Sequence, residues 1–233
     1  MYPWAATEWI YSAFFLQNSA PTPPHQLFAL ISRNMADKAG WHRFNQVTHS
    51  VPSGHKLYRA SAPNYDEDKY PNDADRSQDL TKPSVDFLVS QGIDSIISFN
   101  KYEYSPDMKK ILGKIEYKHI KLEDFKPPTL AQLDEANTFF KKHKSTLVHC
   151  GYGWGRTGTG VTGLQVFTED GNNLRPLGSL WTTPLASGGN NVETREQVSI
   201  LSERRNLLFK KYVLLAPLRM NPISIFFSLS SYS

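Results

Sequence analysis

The chain has 233 residues, 39 % of them apolar and 12 % aromatic, enough for the core of one moderate domain with extra segments at its ends. Its net charge of +4 comes from scattered lysines and arginines, with no dense basic patch to indicate nucleic acid as a partner. A single cysteine excludes an intramolecular disulfide framework and any zinc site built on several thiols, and a thiol needed as thiolate survives best in a reducing compartment such as the cytoplasm.

Residues 1–40 show no sustained period and are punctuated by Pro21, Pro23 and Pro24. They read as a loosely attached N-terminal extension with a short helix around His25 to Met35. The first twenty residues lack a basic start and carry Glu8, which argues against a secretory signal. No run reaches the ~20 apolar residues that span a bilayer.

The domain proper is read as residues 41–208. Phe44 to Thr48 and Lys56 to Ser61 form two strands joined through a Pro52-Ser53-Gly54 turn. Asn64 to Gln78 is polar and acidic and reads as a mobile loop. Ser84 to Gln91 places Val85, Leu88 and Val89 on one helical face, with Gly92 as C-cap. Ile93 to Phe99 follows as a buried strand, and helix followed by apolar strand is the mark of an α/β unit. Pro106 to Leu112 is a short helix and Ile115 to Ile120 an alternating strand. Pro127 and Pro128 stiffen the next loop. Thr129 is placed to cap a helix over Leu130 to His143, striped by Leu133, Ala136, Phe139 and Phe140. Ser145 to Val148 is a strand leading into Cys150.

A glycine-rich turn follows, and a helix opens near Gly158 and ends near Thr168. Glu169 to Asn191 is a long aperiodic loop, uncommon inside a compact domain. Helical patterning resumes over Val192 to Leu208, and residues 209–233 form a tail with no clean period.

The turn Cys150-Gly151-Tyr152-Gly153-Trp154-Gly155-Arg156 carries the chemistry. Between a strand and a helix, its backbone N–H groups converge on one hollow and the helix N-terminus adds a positive dipole end. A cysteine there is expected as the thiolate. Arg156 offers a planar fork to two phosphate oxygens. Thr157 is placed to hydrogen-bond the thiolate, and His149 to bond the loop backbone and orient Cys150. The remaining need is an acid for the departing oxygen. Asp124 is the candidate, after a strand C-terminus where sites gather in α/β sheets, with Glu123 as the neighbouring alternative.

His149-Cys150, then Gly153, then Arg156-Thr157-Gly158 is similar to the HCxxGxxRTG signature of protein tyrosine phosphatases. Asp124-Phe125-Lys126-Pro127-Pro128 resembles the general-acid loop of the small atypical dual-specificity members, and Glu193 to Gln197 resembles a late-helix segment of the same group. The resemblance covers roughly Val47 to Leu208. It implies an α/β fold with a four- or five-stranded mixed sheet flanked by helices. It also implies Cys150 as nucleophile, Arg156 as phosphate binder and Asp124 as acid then base, with no cofactor or metal. The long loop after Thr168 and the tail after Phe209 depart from the family pattern.

None of the five residues between Cys150 and Arg156 is charged. Phosphoinositide phosphatases of this superfamily carry lysines there, so a monophosphate ester is expected. Gly151, Gly153 and Gly155 are read as phosphate contacts. Tyr152 and Trp154 either stack on a substrate ring or pack against the acid loop. The expected substrate is a phosphorylated protein, phosphotyrosine before phosphoserine or phosphothreonine, or a small phosphomonoester, acted on by a monomer. The alternatives are an inositol phosphate or phosphoinositide phosphatase and a non-catalytic phosphate-binding module. Rhodanese or arsenate-reductase chemistry shares a cysteine–arginine loop but lacks the upstream acid. The other histidines show no metal spacing.

Overall fold

The computed structural model describes residues 24–169, 181–184 and 189–219. Five strands form one sheet: β1 (Asn45–Val47), β2 (Lys56–Ala60), β3 (Ser95–Ser98), β4 (Glu116–His119) and β5 (Ser145–His149). Their order is β1-β2-β5-β3-β4, with β1 antiparallel to β2 and every other pair parallel. The sheet is therefore mixed and the architecture α/β, as the resemblance implied.

β5 is central and buried at all five positions, as a parallel strand covered on both faces must be. Strand alternation sends Tyr58, Ile96 and Leu147 to one core with Trp41, Phe44, Val85 and Leu88. Leu57, Ile97 and Val148 go to the other, with Phe140, Val161 and Leu164.

The helices are α1 (Pro24–Lys38), α2 (Lys82–Ser90), α3 (Pro106–Ile111), α4 (Leu130–Phe140), α5 (Gly155–Thr168) and α6 (Arg195–Arg219). Thr81 caps α2 and Thr129 caps α4. Each side chain accepts the N–H three residues on, and the Ser84 and Gln132 side chains reach back. Helix α5 packs on α4 and α6.

Four local expectations are revised. Helix α1 reaches Lys38 and buries Ala36 completely in the first core, so its end is part of the packed body. The stretch Asn64 to Gln78 contains a 3-10 turn at Ala74–Ser77 with Asp75 and Ser77 buried. Helix α5 begins at Gly155 rather than Gly158, because the Gly158 N–H already bonds the Trp154 carbonyl at 2.5 Å. Helix α6 continues to Arg219, through the first part of the expected tail. Residues 1–23, most of the long loop after Glu169 and residues 220–233 lie outside the described residues. Among the described residues no helix is long and apolar enough to cross a membrane.

Candidate active site

Ala60 of β2 and Ser98 of β3 both pair with His149 of β5. The three strands end on one rung, so the segments that follow them open at the same edge of the sheet. Cys150 leaves β5 there, 2 % exposed.

The loop folds back on its own sulfur. The Gly153 N–H donates to Cys150 Sγ at 3.3 Å. Gly153 has φ +99°, and a Cβ there would come within 2.8 Å of the Ala60 carbonyl oxygen. Only glycine takes this turn against β2 without strain. The N-cap residue of α5, Trp154, makes no side-chain cap, and the first N–H of the helix, that of Gly155, is taken by Glu193.

Arg59 lies beneath the loop. It is 1 % exposed and donates to the carbonyls of Gly153 and Asn190 at 2.9 and 2.8 Å. Burial lowers its pKa to about 10, and the negative charge of Cys150 opposes that fall, so Arg59 remains cationic at neutral pH.

Arg156, in the first turn of α5, is 3 % exposed. Nη1 and Nη2 donate to Asp75 Oδ2 and Oδ1 at 2.6 and 2.9 Å, and Nη1 also donates to the Leu122 carbonyl at 3.2 Å. Nη2 pairs with Asp124 Oδ1 at 2.9 Å. Burial opposes the guanidinium charge. The hydrogen bonds it donates to Asp75 and the charges of Cys150, Asp75 and Asp124 outweigh it and hold the pKa above its ordinary value.

Asp124 is exposed and faces the cradle. Glu123 turns away toward Lys101 and Lys121, at 3.5 and 3.8 Å. Phe125 sits at φ +59°, with its N–H on Asp124 Oδ1 at 3.1 Å. Thr194 Oγ1 donates to the Phe125 carbonyl at 3.5 Å, tying the acid loop to the segment before α6. Glu193 in that segment accepts the Gly155 N–H. Burial raises its pKa and Asp124 adds to the rise, while Gly155 and Arg156 oppose it.

His149 is completely buried. Its Nδ1 meets the Cys150 carbonyl at 3.1 Å and must therefore carry the proton, leaving Nε2 to accept from the Tyr104 hydroxyl at 2.9 Å. Trp41 meets the ring edge-on. The Thr157 hydroxyl is buried without a hydrogen-bond partner, so the expected bond to the thiolate is not formed. Tyr152 lies under the Arg43 guanidinium, 3.5 Å from it, with Tyr65 and Trp154 edge-on to its ring. Its ring packs on these groups. Beside the loop opens a cleft of about 630 Å³, walled by Tyr65 and Trp154 and lined by Arg33, Asp37, Arg43 and Glu67 among others.

The residues that sequence reasoning missed are Asp75, Tyr104 and the Arg59 anchor. Asp75 stands in an acidic run where several carboxylates look alike, and Tyr104 in a loop without period. No local pattern marks either.

Residues 73–170 match the family described as Tc-R-P, polymorphic toxin system, DSP-PTPase phosphatase. Among solved structures, a kinase-associated phosphatase (KAP) with serine in place of its catalytic-site cysteine superposes with a TM-score of 0.54. It shares 20 % identity over 72 % of this chain and 96 % of that one. PTPMT1 in complex with PI(5)P gives a TM-score of 0.51 and 14 % identity over 72 % and 97 % of the two chains. No curated protein matches the chain.

Proposed function

We propose, from the match of residues 73–170 to a DSP-PTPase phosphatase family, that the chain hydrolyses phosphomonoesters through a phosphocysteine, with phosphotyrosine in proteins as the first substrate class. The observation that carries the reading is the meeting of three groups. Cys150 Sγ accepts the Gly153 N–H at 3.3 Å, Arg156 stands in the first helical turn, and Asp124 Oδ1 lies 2.9 Å from that arginine.

In the first step the Cys150 thiolate attacks phosphorus and the bond to the ester oxygen breaks. Asp124, in its acid form, gives that oxygen its proton, and phosphate stays on sulfur. In the second step water attacks phosphorus, Asp124 takes its proton, and the P–S bond breaks to return thiolate and release inorganic phosphate. Loop N–H groups and Arg156 hold the equatorial oxygens throughout. Thr157, lacking a partner, is free to turn its hydroxyl to the departing thiolate, and His149 acts through the loop backbone.

The cleft beside the loop supports a polypeptide substrate. Its lining carries both signs of charge, with Arg33 and Arg43 against Asp37, Asp66 and Glu67. A polyphosphorylated headgroup needs clustered cations, and neither the loop nor the cleft supplies them. The ligand of PTPMT1 does not transfer, because a likeness at 14 % identity is one of fold.

The test compares turnover of a phosphotyrosyl peptide with a panel of phosphoinositides and inositol phosphates, using Cys150→Ser as control. The peptide should be turned over fastest and the Cys150→Ser protein should be inert toward all. A phosphoinositide as the better substrate would reverse the substrate class. Turnover in the Cys150→Ser protein would sink the mechanism.

A further inference from the structure

The guanidinium of Arg156 has five N–H donors. Three are in hydrogen bonds with the protein: both on Nη1, to Asp75 Oδ2 and Leu122 O, and one on Nη2, to Asp75 Oδ1. The two that remain, on Nε and Nη2, lie side by side on one edge of the plane, the fork that matches two oxygens of a phosphate. Asp124 pairs with Nη2 from an exposed loop and can yield to phosphate. Asp75 cannot yield in this way. Its side chain is 8 % exposed, its Oδ2 also accepts the Lys101 N–H at 3.3 Å, and its carbonyl is held by Asn100 Nδ2 at 3.2 Å.

A second observation points the same way. Gly151, the residue after the nucleophile, has its Cα against Asp75 Oδ1, and a Cβ at this position would overlap that oxygen. The loop is built to admit the carboxylate. A buried ion pair gains little net stability, because desolvation offsets the attraction. What this one fixes is direction.

We propose that Asp75 is a positioning residue for the reaction: it grips Arg156 end-on so that the Nε/Nη2 edge faces the phosphate. The proposal rests on the phosphatase reading of the site. It also makes an unusual sign prediction. Removing a negative charge from beside an anion site should by itself tighten anion binding. If Asp75 positions the fork, removing its charge instead weakens binding.

The experiment measures tungstate affinity by calorimetry and p-nitrophenyl phosphate kinetics for the wild type, Asp75→Asn and Gly151→Ala, with melting curves to show folding. Asp75→Asn should weaken tungstate by ~10-fold and lower kcat/KM by roughly 100-fold. Gly151→Ala keeps the charge but displaces the carboxylate, and should shift both readouts the same way. If Asp75→Asn does not fold, Gly151→Ala decides by the same two measurements. A folded variant with equal or tighter tungstate binding and kcat/KM within about 3-fold of wild type overturns the proposal, since a shift that small is under 1 kcal/mol. If the wild type binds tungstate but does not turn over p-nitrophenyl phosphate, the phosphatase reading fails. The tungstate comparison still judges Asp75.

Discussion

The Tyr104 hydroxyl lies 2.9 Å from Nε2 of His149, and the two rings stack at 18° with centroids 5.6 Å apart. With Nδ1 committed to the Cys150 carbonyl, the imidazole directly before Cys150 is locked in one neutral tautomer.

This neutrality has a pH signature. Burial lowers the His149 pKa from 6.5 to about 4, the Cys150 carbonyl opposing the fall. Between those values the unfolded chain takes up a proton that the folded chain refuses, so stability falls as pH drops through this window and not above it. The expected loss from this group is on the order of 3 kcal/mol. Urea midpoints from pH 8 to 4 in wild type and His149→Asn check it. The variant should show a flatter acid limb, and an identical limb would remove His149 as the cause.

Arg59 contributes both a charge and a pair of hydrogen bonds, and two substitutions separate them. Arg59→Leu strands the Gly153 and Asn190 carbonyls, at ~1–3 kcal/mol each, and removes the buried cation. Turnover should fall by roughly 100-fold and alkylation of Cys150 by iodoacetamide should slow. Arg59→Lys restores the charge but not the two-pronged reach. It should recover alkylation more than turnover, and full recovery of turnover would show that charge alone matters.

Gly153→Ala asks an L-residue to hold φ +99° with its Cβ 2.8 Å from both the Ala60 oxygen and the Ser61 nitrogen. The left-handed conformation costs ~1–2 kcal/mol before any overlap. The melting temperature should drop by several degrees, about 2–4 °C per kcal/mol for a domain of this size. Tungstate affinity should fall with it, since the Gly153 N–H that reaches Cys150 Sγ must move. A variant with native affinity would mean that the loop has another available shape.

Asp124→Asn removes the proposed proton donor while keeping size. Loss should depend on the leaving group: roughly 100-fold or more for an alkyl phosphate, and much less for p-nitrophenyl phosphate, whose phenolate leaves without help. Equal losses for both would point to disturbance of Arg156, with which Asp124 pairs.

Much of the site was legible because its signals are local. Cys150 and Arg156 are separated by a run with glycine at every second position, and the strand before them is apolar and β-branched. Asp124 could be chosen because it follows a strand end and precedes two prolines, but its advantage over Glu123 lay in side-chain direction, which only the fold supplies. Asp75 was not legible. Its partner is 81 residues away, and its neighbours Asp66, Glu67, Asp68 and Asp73 present the same charge. Helix α6 was cut short for a different reason. Among its described side chains Leu207, Phe209 and Leu214 are exposed, so they extend no buried stripe that the sequence could show.

The common rung of β2, β3 and β5 also bears on folding fidelity. β5 is paired on both sides, with His149 opposite Ala60 on one flank and Ser98 on the other. A slip by one residue would send every β5 side chain to the wrong face, expelling Val148 from one core and Leu147 from the other. Because both faces of β5 are buried, the slip would exchange these two side chains between cores of different shape and carry His149 away from the Tyr104 hydroxyl.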